Sequence, residues 1–194
     1  MNRHELLKNM AKFCILKGDF VLNGGARSDV YFDKYQVTTN PHTLATAVEQ
    51  LTNLLFTTDD AYLEQLIAPE LGGAVFATAL QQHLLAEYET SVELNIVRSE
   101  YKTHGTGEVT LGKFSTSYTS VLVDDVITTG KAVLDTIDVV RKKNPNIRFS
   151  QIIALVNRGN EGVTKLRNRG YSVSTVFDFS EIIQRQLRPD LYDR

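Results

Sequence analysis

Two adjacent carboxylates and a run of small residues lie close together in the middle of the chain. Asp124 and Asp125 follow residues 121–123, an apolar, β-branched run that is typical of a short strand buried on both faces. Residues 128–130, with the sequence Thr-Thr-Gly, come next, and a helical pattern begins directly after them. Such a turn directs several backbone N–H groups and two hydroxyls towards one point, where the helix N-terminus adds a partial positive charge. The turn therefore predicts a phosphate site.

The two carboxylates predict a different part of the same ligand. Asp124 and Asp125 would repel a phosphate, so they are placed to accept hydrogen bonds from sugar hydroxyls or to hold a cation. A phosphorylated ribose, with its phosphate in the turn and its diol beside the acids, satisfies both requirements. The alternative is a solvated strand end followed by an ordinary helix cap.

Two common nucleotide-binding motifs do not fit this sequence. A P-loop requires glycine where the chain has Asp125, and serine or threonine where it has Ala132. A dinucleotide fingerprint requires G-x-G-x-x-G, but the glycines at 105 and 107 are followed by the next glycine only at 112. The phosphate site is therefore of another type.

Composition narrows the class of protein. The chain has 194 residues, 42% hydrophobic and 23% charged residues, and a net charge of −2, which gives no signal for binding duplex nucleic acid. The single cysteine, Cys14, excludes an intrachain disulfide and a cysteine-rich zinc site, and its apolar helical surroundings predict a buried position. No apolar run approaches the ~20 residues of a membrane span, and the N-terminus lacks a signal-peptide pattern. We expect a cytoplasmic protein that does not bind membranes.

The N-terminal residues predict a helix followed by a hairpin outside the main sheet. Asn2 and Glu5 have the spacing of a capping box, and the helix is expected to end at Gly18. Residues 20–22 and 28–33 read as two short strands around an Asn-Gly-Gly turn.

The rest of the chain alternates between strands and helices. Four strand–helix alternations predict a mostly parallel sheet flanked by helices, in a single domain over residues 1–194. Asn40 is expected to cap one helix, and Ser180 the closing one. The turns that follow Ala68, Val97, Val123 and Val156 all come after predicted strands. Because ligands of such sheets bind beyond the carboxyl ends of the strands, these turns should form the site.

A long polar loop follows the strand at residues 93–97. It contains Arg98, Lys102 and His104, together with several glycines and no clean periodicity. A loop of this length in a compact domain is usually functional or disordered. It could close over an anionic ligand and exclude water, or it could be a solvated loop without a role.

Several segments resemble the orotate phosphoribosyltransferases, a group within the type I phosphoribosyltransferase family. Residues 121–133 resemble the family's phosphoribosyl diphosphate motif, and residues 98–105 resemble its catalytic loop, Arg-x-Glu-x-Lys-x-His-Gly. Residues 20–33 are similar to its N-terminal segment, and Arg158 follows a strand of the Ile-x-Ala-Leu type. The resemblance spans about residues 20–162. It departs from the family at Asn23, Gly24, Leu71, Ser99 and Thr103; some or most members carry lysine at positions 23, 71 and 99, and serine is usual at position 24.

The resemblance implies a fold, a reaction and a set of roles. Residues 1–38 would form a hood-like element, and the enzyme would transfer the phosphoribosyl group to orotate as a homodimer with shared active sites. Mg²⁺ would bind through ligand oxygens, near Asp124 and Asp125 but not by protein side chains alone. The catalytic residues would be Lys102, His104, Asp124 and Asp125. Phosphoribosyl diphosphate would be bound by Arg98, Lys102, His104, Asp124, Asp125, Val126, Ile127, Thr128, Thr129, Gly130, Lys131 and Ala132.

The same resemblance assigns Thr128 and Arg158 to orotate, since a guanidinium bonds both oxygens of a planar carboxylate. A salt bridge to a neighbouring helix is the other interpretation of Arg158. In the family, the turn at Gly72 and Gly73 lies beside the diphosphate, where only backbone amides would contribute. Two alternatives to orotate transfer stay open: transfer to another nucleobase, and a non-catalytic regulator that binds phosphoribosyl diphosphate.

Overall fold

The structure is a computed structural model that describes residues 1–21, 25, 27–57, 63–98, 108–112 and 119–188. The strands in these ranges are β1 (Ile15–Val21), β2 (Arg27–Phe32), β3 (Gln65–Pro69), β4 (Glu93–Val97), β5 (Thr110–Leu111), β6 (Thr119–Ile127), β7 (Arg148–Asn157) and β8 (Val173–Asp178). The helices are α1 (Arg3–Phe13), α2 (Tyr35–Thr38), α3 (Pro41–Leu55), α4 (Gly72–Tyr88), α5 (Lys131–Lys143), α6 (Asn160–Asn168) and α7 (Phe179–Leu187).

The central feature is a six-stranded sheet with the order β5-β4-β3-β6-β7-β8. All neighbouring strands run parallel except β4 and β5, which are antiparallel. This confirms the predicted mostly parallel sheet. Because β3, β4, β6 and β7 run in one direction, the turns that follow them meet at one edge, as the sequence indicated.

Helices cover both faces of the sheet because successive strand residues point to opposite sides. On β6, Val121 and Val123 join a core with residues of α1, α3, α4 and α7. Leu122, between them, belongs to a second core built with α5 and α6. The strands therefore have apolar residues on both faces, as a sheet between two helical layers requires.

The N-terminal residues form a unit of helix and hairpin whose two strands lie outside the six-stranded sheet, while α1 packs into the same core as Val121 and Val123. The capping box of Asn2 and Glu5 is present, and β1 pairs with β2 in a two-stranded antiparallel sheet, so both predictions are confirmed. The predicted end of the first helix at Gly18 is wrong, because α1 ends at Phe13 and Gly18 lies in β1. The register of the hairpin shifts between Lys17 and Phe20, so Gly18 serves an irregular part of the strand.

Three smaller predictions can be compared with the structure. Asn40 caps α3 through its side chain, as expected. Ser180 does not cap the closing helix, because β8 leads directly into α7 and the N-cap residue is Asp178, two residues before Ser180. Cys14 is buried, as predicted, and burial, with the nearby charge of Asp33, raises the pKa of its thiol to about 12. No helix in the described ranges is long and apolar enough to cross a membrane.

Candidate active site

The two adjacent acids lie inside β6 and not at its end. The sequence predicted a strand over 121–123, but β6 continues to Ile127, where it still pairs with Asn157 of β7. The prediction was wrong because two charged residues normally mark the end of a buried strand, whereas the ladder with β7 continues past them. Asp124 and Asp125 keep only 5% and 4% of their surface exposed. They are therefore buried carboxylates at the carboxyl edge of the sheet.

Local backbone groups hold both acids in place. Oδ1 of Asp124 accepts the backbone N–H of Asp125 at 2.8 Å, and Oδ1 of Asp125 accepts that of Val126 at 2.6 Å. Burial, and then the like charge of Asp125, raise the pKa of the Asp124 carboxyl well above its ordinary range. Ionisation of the buried Asp124 carboxyl is therefore costly.

A lysine from the N-terminal unit completes the acid pair, and sequence reasoning missed it. Nζ of Lys34 lies 2.7 Å from Oδ2 of Asp125. Burial alone would lower the pKa of Lys34. The charge and the hydrogen bond of Asp125, with smaller contributions from Asp124 and Tyr35, outweigh burial, so the net pKa lies above its usual value. No periodicity or motif joins Lys34 to a strand about 90 residues later, so only the tertiary structure could identify it.

The small-residue turn lies between the end of β6 and the start of α5, and its glycine is buried. Thr128 and Thr129 are exposed, and Gly130 adopts a φ of 71°, in the left-handed region that favours glycine. Lys131 and Ala132 are exposed residues of the first turn of α5, a helix of 13 residues. The side chain of Lys131 pairs with Asp135, and its backbone N–H donates to the Thr129 hydroxyl at 3.4 Å. The turn lies at the N-terminus of α5, and the first backbone N–H groups of a helix can bind a phosphate.

The start of α6 supports this turn from behind. The N–H of Gly162 donates to the carbonyl of Thr128 at 3.1 Å, and the N–H of Arg158 donates to that of Ile127 at 2.8 Å. A Cβ on Gly162 would lie 2.3 Å from the carbonyl oxygen of Thr128 and 2.7 Å from the nitrogen of Gly130. The conformation of the turn therefore depends on a glycine outside the predicted motif.

The glycine turn after β3 packs directly against the acids. A Cβ on Gly72 would lie 1.5 Å from Oδ2 of Asp125, and one on Gly73 would lie 2.7 Å from the carbonyl oxygen of Val123. The peptide bond between Glu70 and Leu71 is cis, and the Leu71 side chain is exposed. Both glycines begin α4, so the helix start and the acid pair occupy neighbouring positions.

The remaining predicted residues fall into two groups. Arg158 follows β7 at the same edge, and its guanidinium lies 5.1 Å from the ring centroid of Phe179. Among the residues that the structure describes, Arg158 forms no ion pair, which gives no support to the salt-bridge interpretation. Arg98 directly follows β4 and donates to the carbonyl of Glu108 at 3.2 Å. Lys102 and His104, like the departures at Asn23, Ser99 and Thr103, lie outside the described residues.

These groups form two complementary halves of one site. Buried carboxylates suit sugar hydroxyls, which donate hydrogen bonds, and the amides at the start of α5 suit a phosphate. In the described ranges, no cluster of three or more His, Cys, Asp or Glu side chains could hold a metal ion. The ammonium of Lys34 on Asp125 also disfavours direct coordination there. The residues fit Mg²⁺ held mainly by ligand oxygens and water, its usual arrangement with phosphates.

Comparisons with known proteins agree with this geometry. A family model described as the phosphoribosyl transferase domain matches residues 36–185. The chain is 31% identical to the orotate phosphoribosyltransferase of Methanopyrus kandleri over 183 residues, which cover 94% of this chain and 92% of the relative.

Solved structures share the fold. The orotate phosphoribosyltransferase from Aeropyrum pernix superposes with a TM-score of 0.72 and 28% identity, covering 94% of this chain and 96% of that one. The Mycobacterium tuberculosis H37Rv orotate phosphoribosyltransferase in complex with 5-phospho-alpha-D-ribosyl 1-diphosphate also gives a TM-score of 0.72. The two sequences are 18% identical, and the match covers 93% of this chain and 98% of that one, so this likeness concerns the fold alone. The chain belongs to the phosphoribosyltransferase family and groups with its orotate phosphoribosyltransferases.

Proposed function

We propose that the chain catalyses transfer of the phosphoribosyl group from 5-phosphoribosyl 1-diphosphate to orotate, giving orotidine 5'-phosphate and diphosphate. This reaction belongs to the de novo synthesis of UMP. One observation carries the proposal: the buried pair Asp124 and Asp125 adjoins the exposed amide turn at the start of α5. The relatives named orotate phosphoribosyltransferase support the choice of substrate.

The two halves of the site divide the sugar phosphate between them. Asp124 and Asp125 accept hydrogen bonds from the ribose hydroxyls, and their charge favours the positive charge that develops at the anomeric carbon. The backbone from Val126 to Ala132, with the hydroxyls of Thr128 and Thr129, holds the 5-phosphate. In the reaction, the bond from the anomeric carbon to the diphosphate oxygen breaks as a bond to a ring nitrogen of orotate forms, and the proton of that nitrogen passes to the departing diphosphate.

The base and the leaving group are assigned to neighbouring positions. Thr128 and Arg158 face orotate, and the Arg158 guanidinium binds its carboxylate. Arg98, Lys102 and His104 neutralise the departing diphosphate. Mg²⁺, bound through oxygens of the ligand near Asp124 and Asp125, supplies further neutralisation of the diphosphate charge.

Three further properties are proposed on the family resemblance. Residues 1–38 act as a hood over the site. The protein is a homodimer in which the loop after β4 reaches the neighbouring active site. It works in the cytoplasm, with small-molecule substrates and neither nucleic acid nor membrane as a partner.

A base-by-base assay tests the function. Purified protein with Mg²⁺ and phosphoribosyl diphosphate should release diphosphate with orotate, and not with uracil, adenine or guanine. Release with another base alone would reassign the substrate. Calorimetric binding of phosphoribosyl diphosphate without turnover on any base would instead indicate a regulator.

The loop has its own test. Lys102→Ala should lower turnover by more than ~10²-fold, the scale for loss of one preorganised charge donor. A near-normal rate for this variant would remove Lys102 from the reaction while leaving the acid pair and the turn in place.

A further inference from the structure

Lys34 occupies a position that the proposed roles do not use. It lies two residues after the end of β2, at the N-cap position of α2, and its side chain reaches Asp125 of the main sheet with an Nζ–Oδ2 distance of 2.7 Å. Its side chain is 34% exposed, whereas that of Asp125 is 6% exposed. The ammonium therefore contacts one oxygen of a buried acid.

Asp125 is fixed on three sides, and Lys34 supplies the only one of these contacts that comes from a distant side chain. Oδ1 accepts the Val126 N–H, and Oδ2 lies against the Cα of Gly72, where a Cβ would come within 1.5 Å. A carboxylate oxygen can accept a second hydrogen bond, and an ammonium has three donors. Lys34 can thus orient the carboxylate and still leave lone pairs open to a sugar hydroxyl.

The charges around the pair make this contact important. Asp124 is buried beside Asp125, so two carboxyl groups adjoin in a region with little water, where ionising both is costly. Two other cations at this edge are differently engaged: Lys131 pairs with Asp135, and Arg158 lies over the Phe179 ring. In the described ranges, Lys34 is the cation that forms an ion pair with the acids.

We propose that Lys34 is a positioning residue for the ribose of phosphoribosyl diphosphate, acting through Asp125. Its ammonium holds the carboxylate in the orientation that receives the sugar hydroxyls and compensates the charge of the acid pair. It also ties the N-terminal unit to the site. This inference rests on the proposed function, since it assigns the sugar to the acid pair.

The test compares two ion pairs that both join the N-terminal unit to the rest of the chain. Lys34→Met removes the contact with Asp125, and Arg3→Met removes the pair of Arg3 with Glu181, which joins α1 to α7. The dissociation constant of phosphoribosyl diphosphate with Mg²⁺ is measured by calorimetry, and urea unfolding is followed for each variant. Lys34→Met should weaken binding about 10- to 100-fold, the scale for a lost hydrogen bond between charged groups. Arg3→Met should leave binding unchanged, and Lys34→Arg should bind within about threefold of wild type.

A double-mutant cycle separates positioning from a general structural effect. If Lys34 acts through Asp125, Lys34→Met should weaken binding much less in an Asp125→Asn background than in the wild type. If Lys34→Met does not fold, Lys34→Gln, whose amide still donates to Asp125, replaces it, with an intermediate loss expected.

The contrary outcomes are distinct. Equal losses in both backgrounds, or equal binding by Lys34→Met and Arg3→Met, would overturn the role of Lys34. Tighter binding by Lys34→Met would also overturn it, because the ammonium would then compete with the sugar. Absence of binding by the wild type would overturn the proposed function together with this inference.

Discussion

The two halves of the site are built in opposite ways. The acid pair, Asp124 and Asp125, is buried within β6 and contacts the side chain of Lys34, from a distant part of the sequence. The phosphate turn, residues 128–132, is largely exposed and offers mainly backbone groups. The sugar half of the site therefore lowers the stability of the fold, because burying two adjacent carboxylates opposes folding. Recognition of the phosphate costs little, because it requires only that glycines permit one backbone conformation.

The largest effect should come from the acid half. Asp125→Asn removes the charge that Lys34 and the sugar share, and it should lower kcat/KM by about 10²-fold or more, the scale for losing one preorganised electrostatic group. Steady-state kinetics with varied phosphoribosyl diphosphate measure this. The matched control is Asp138→Asn, an exposed acid on α5, which should behave as wild type. Equal activity of the two variants would remove Asp125 from the site.

The next effect should come from the support of the phosphate turn. Gly162→Ala places a Cβ 2.3 Å from the carbonyl oxygen of Thr128, so the turn must shift. We expect binding of phosphoribosyl diphosphate to weaken at least about tenfold, with a loss of about 1–3 kcal/mol in the free energy of unfolding. Calorimetry and urea unfolding measure the two quantities.

Gly170→Ala controls for the backbone effect alone. Gly170 has a φ of 85° and no atom within 4 Å of an added Cβ, so its substitution strains the backbone without touching the site. Its binding should be unchanged. Weak binding by Gly170→Ala as well would mean that the loss in Gly162→Ala is a general consequence of instability.

A smaller effect should appear in the stability of the ligand-free protein. The folded-state pKa of Asp124 is raised above its unfolded value near 3.8. At pH values between these two pKa values, the folded protein holds a proton on Asp124 that the unfolded chain has lost. Stability should fall as pH rises through that window, and the full penalty applies above the folded pKa.

Asp124→Asn should remove this penalty, because the amide oxygen can still accept the Asp125 N–H. We expect the variant to be more stable than wild type by about 1 kcal/mol or more at pH 8, and nearly equal to it at pH 4. Urea unfolding across this pH range measures the difference. A difference in the free energy of unfolding that is the same at every pH would show that ionisation of Asp124 is not its source.

The smallest effect should follow loss of a hydroxyl from the phosphate turn. Thr129→Val keeps the backbone N–H groups and removes a hydroxyl whose oxygen accepts the Lys131 N–H at only 3.4 Å. We expect binding to change by no more than about fivefold, the scale of one neutral hydrogen bond. A loss as large as that of Asp125→Asn would contradict the view that backbone groups hold the phosphate.

The parts of the fold that sequence could predict depend on local signals. The capping box at Asn2 and the proline after Asn40 fixed two helix starts, and strand–helix alternation predicted the parallel sheet. Gly18 and Ser180 misled because glycine and serine occur at helix ends and also within other elements, where tertiary pairing decides.

The site shows the same limit. The turn after the acids was visible in the sequence as a contiguous motif. The sequence could not show that β6 continues through Asp124 and Asp125, because this continuation depends on pairing with β7. Lys34 and Gly162 reach the site from other elements of the fold. Their side-chain or backbone contacts have no signature in the sequence.

A crystal structure with Mg²⁺ and phosphoribosyl diphosphate tests the central claim most directly. We expect the ribose hydroxyls within hydrogen-bond distance of Asp124 and Asp125, and the 5-phosphate on the backbone N–H groups between Thr128 and Ala132. A ligand bound with its phosphate away from Gly130, or with its sugar away from both acids, would contradict the division of the site into these two halves.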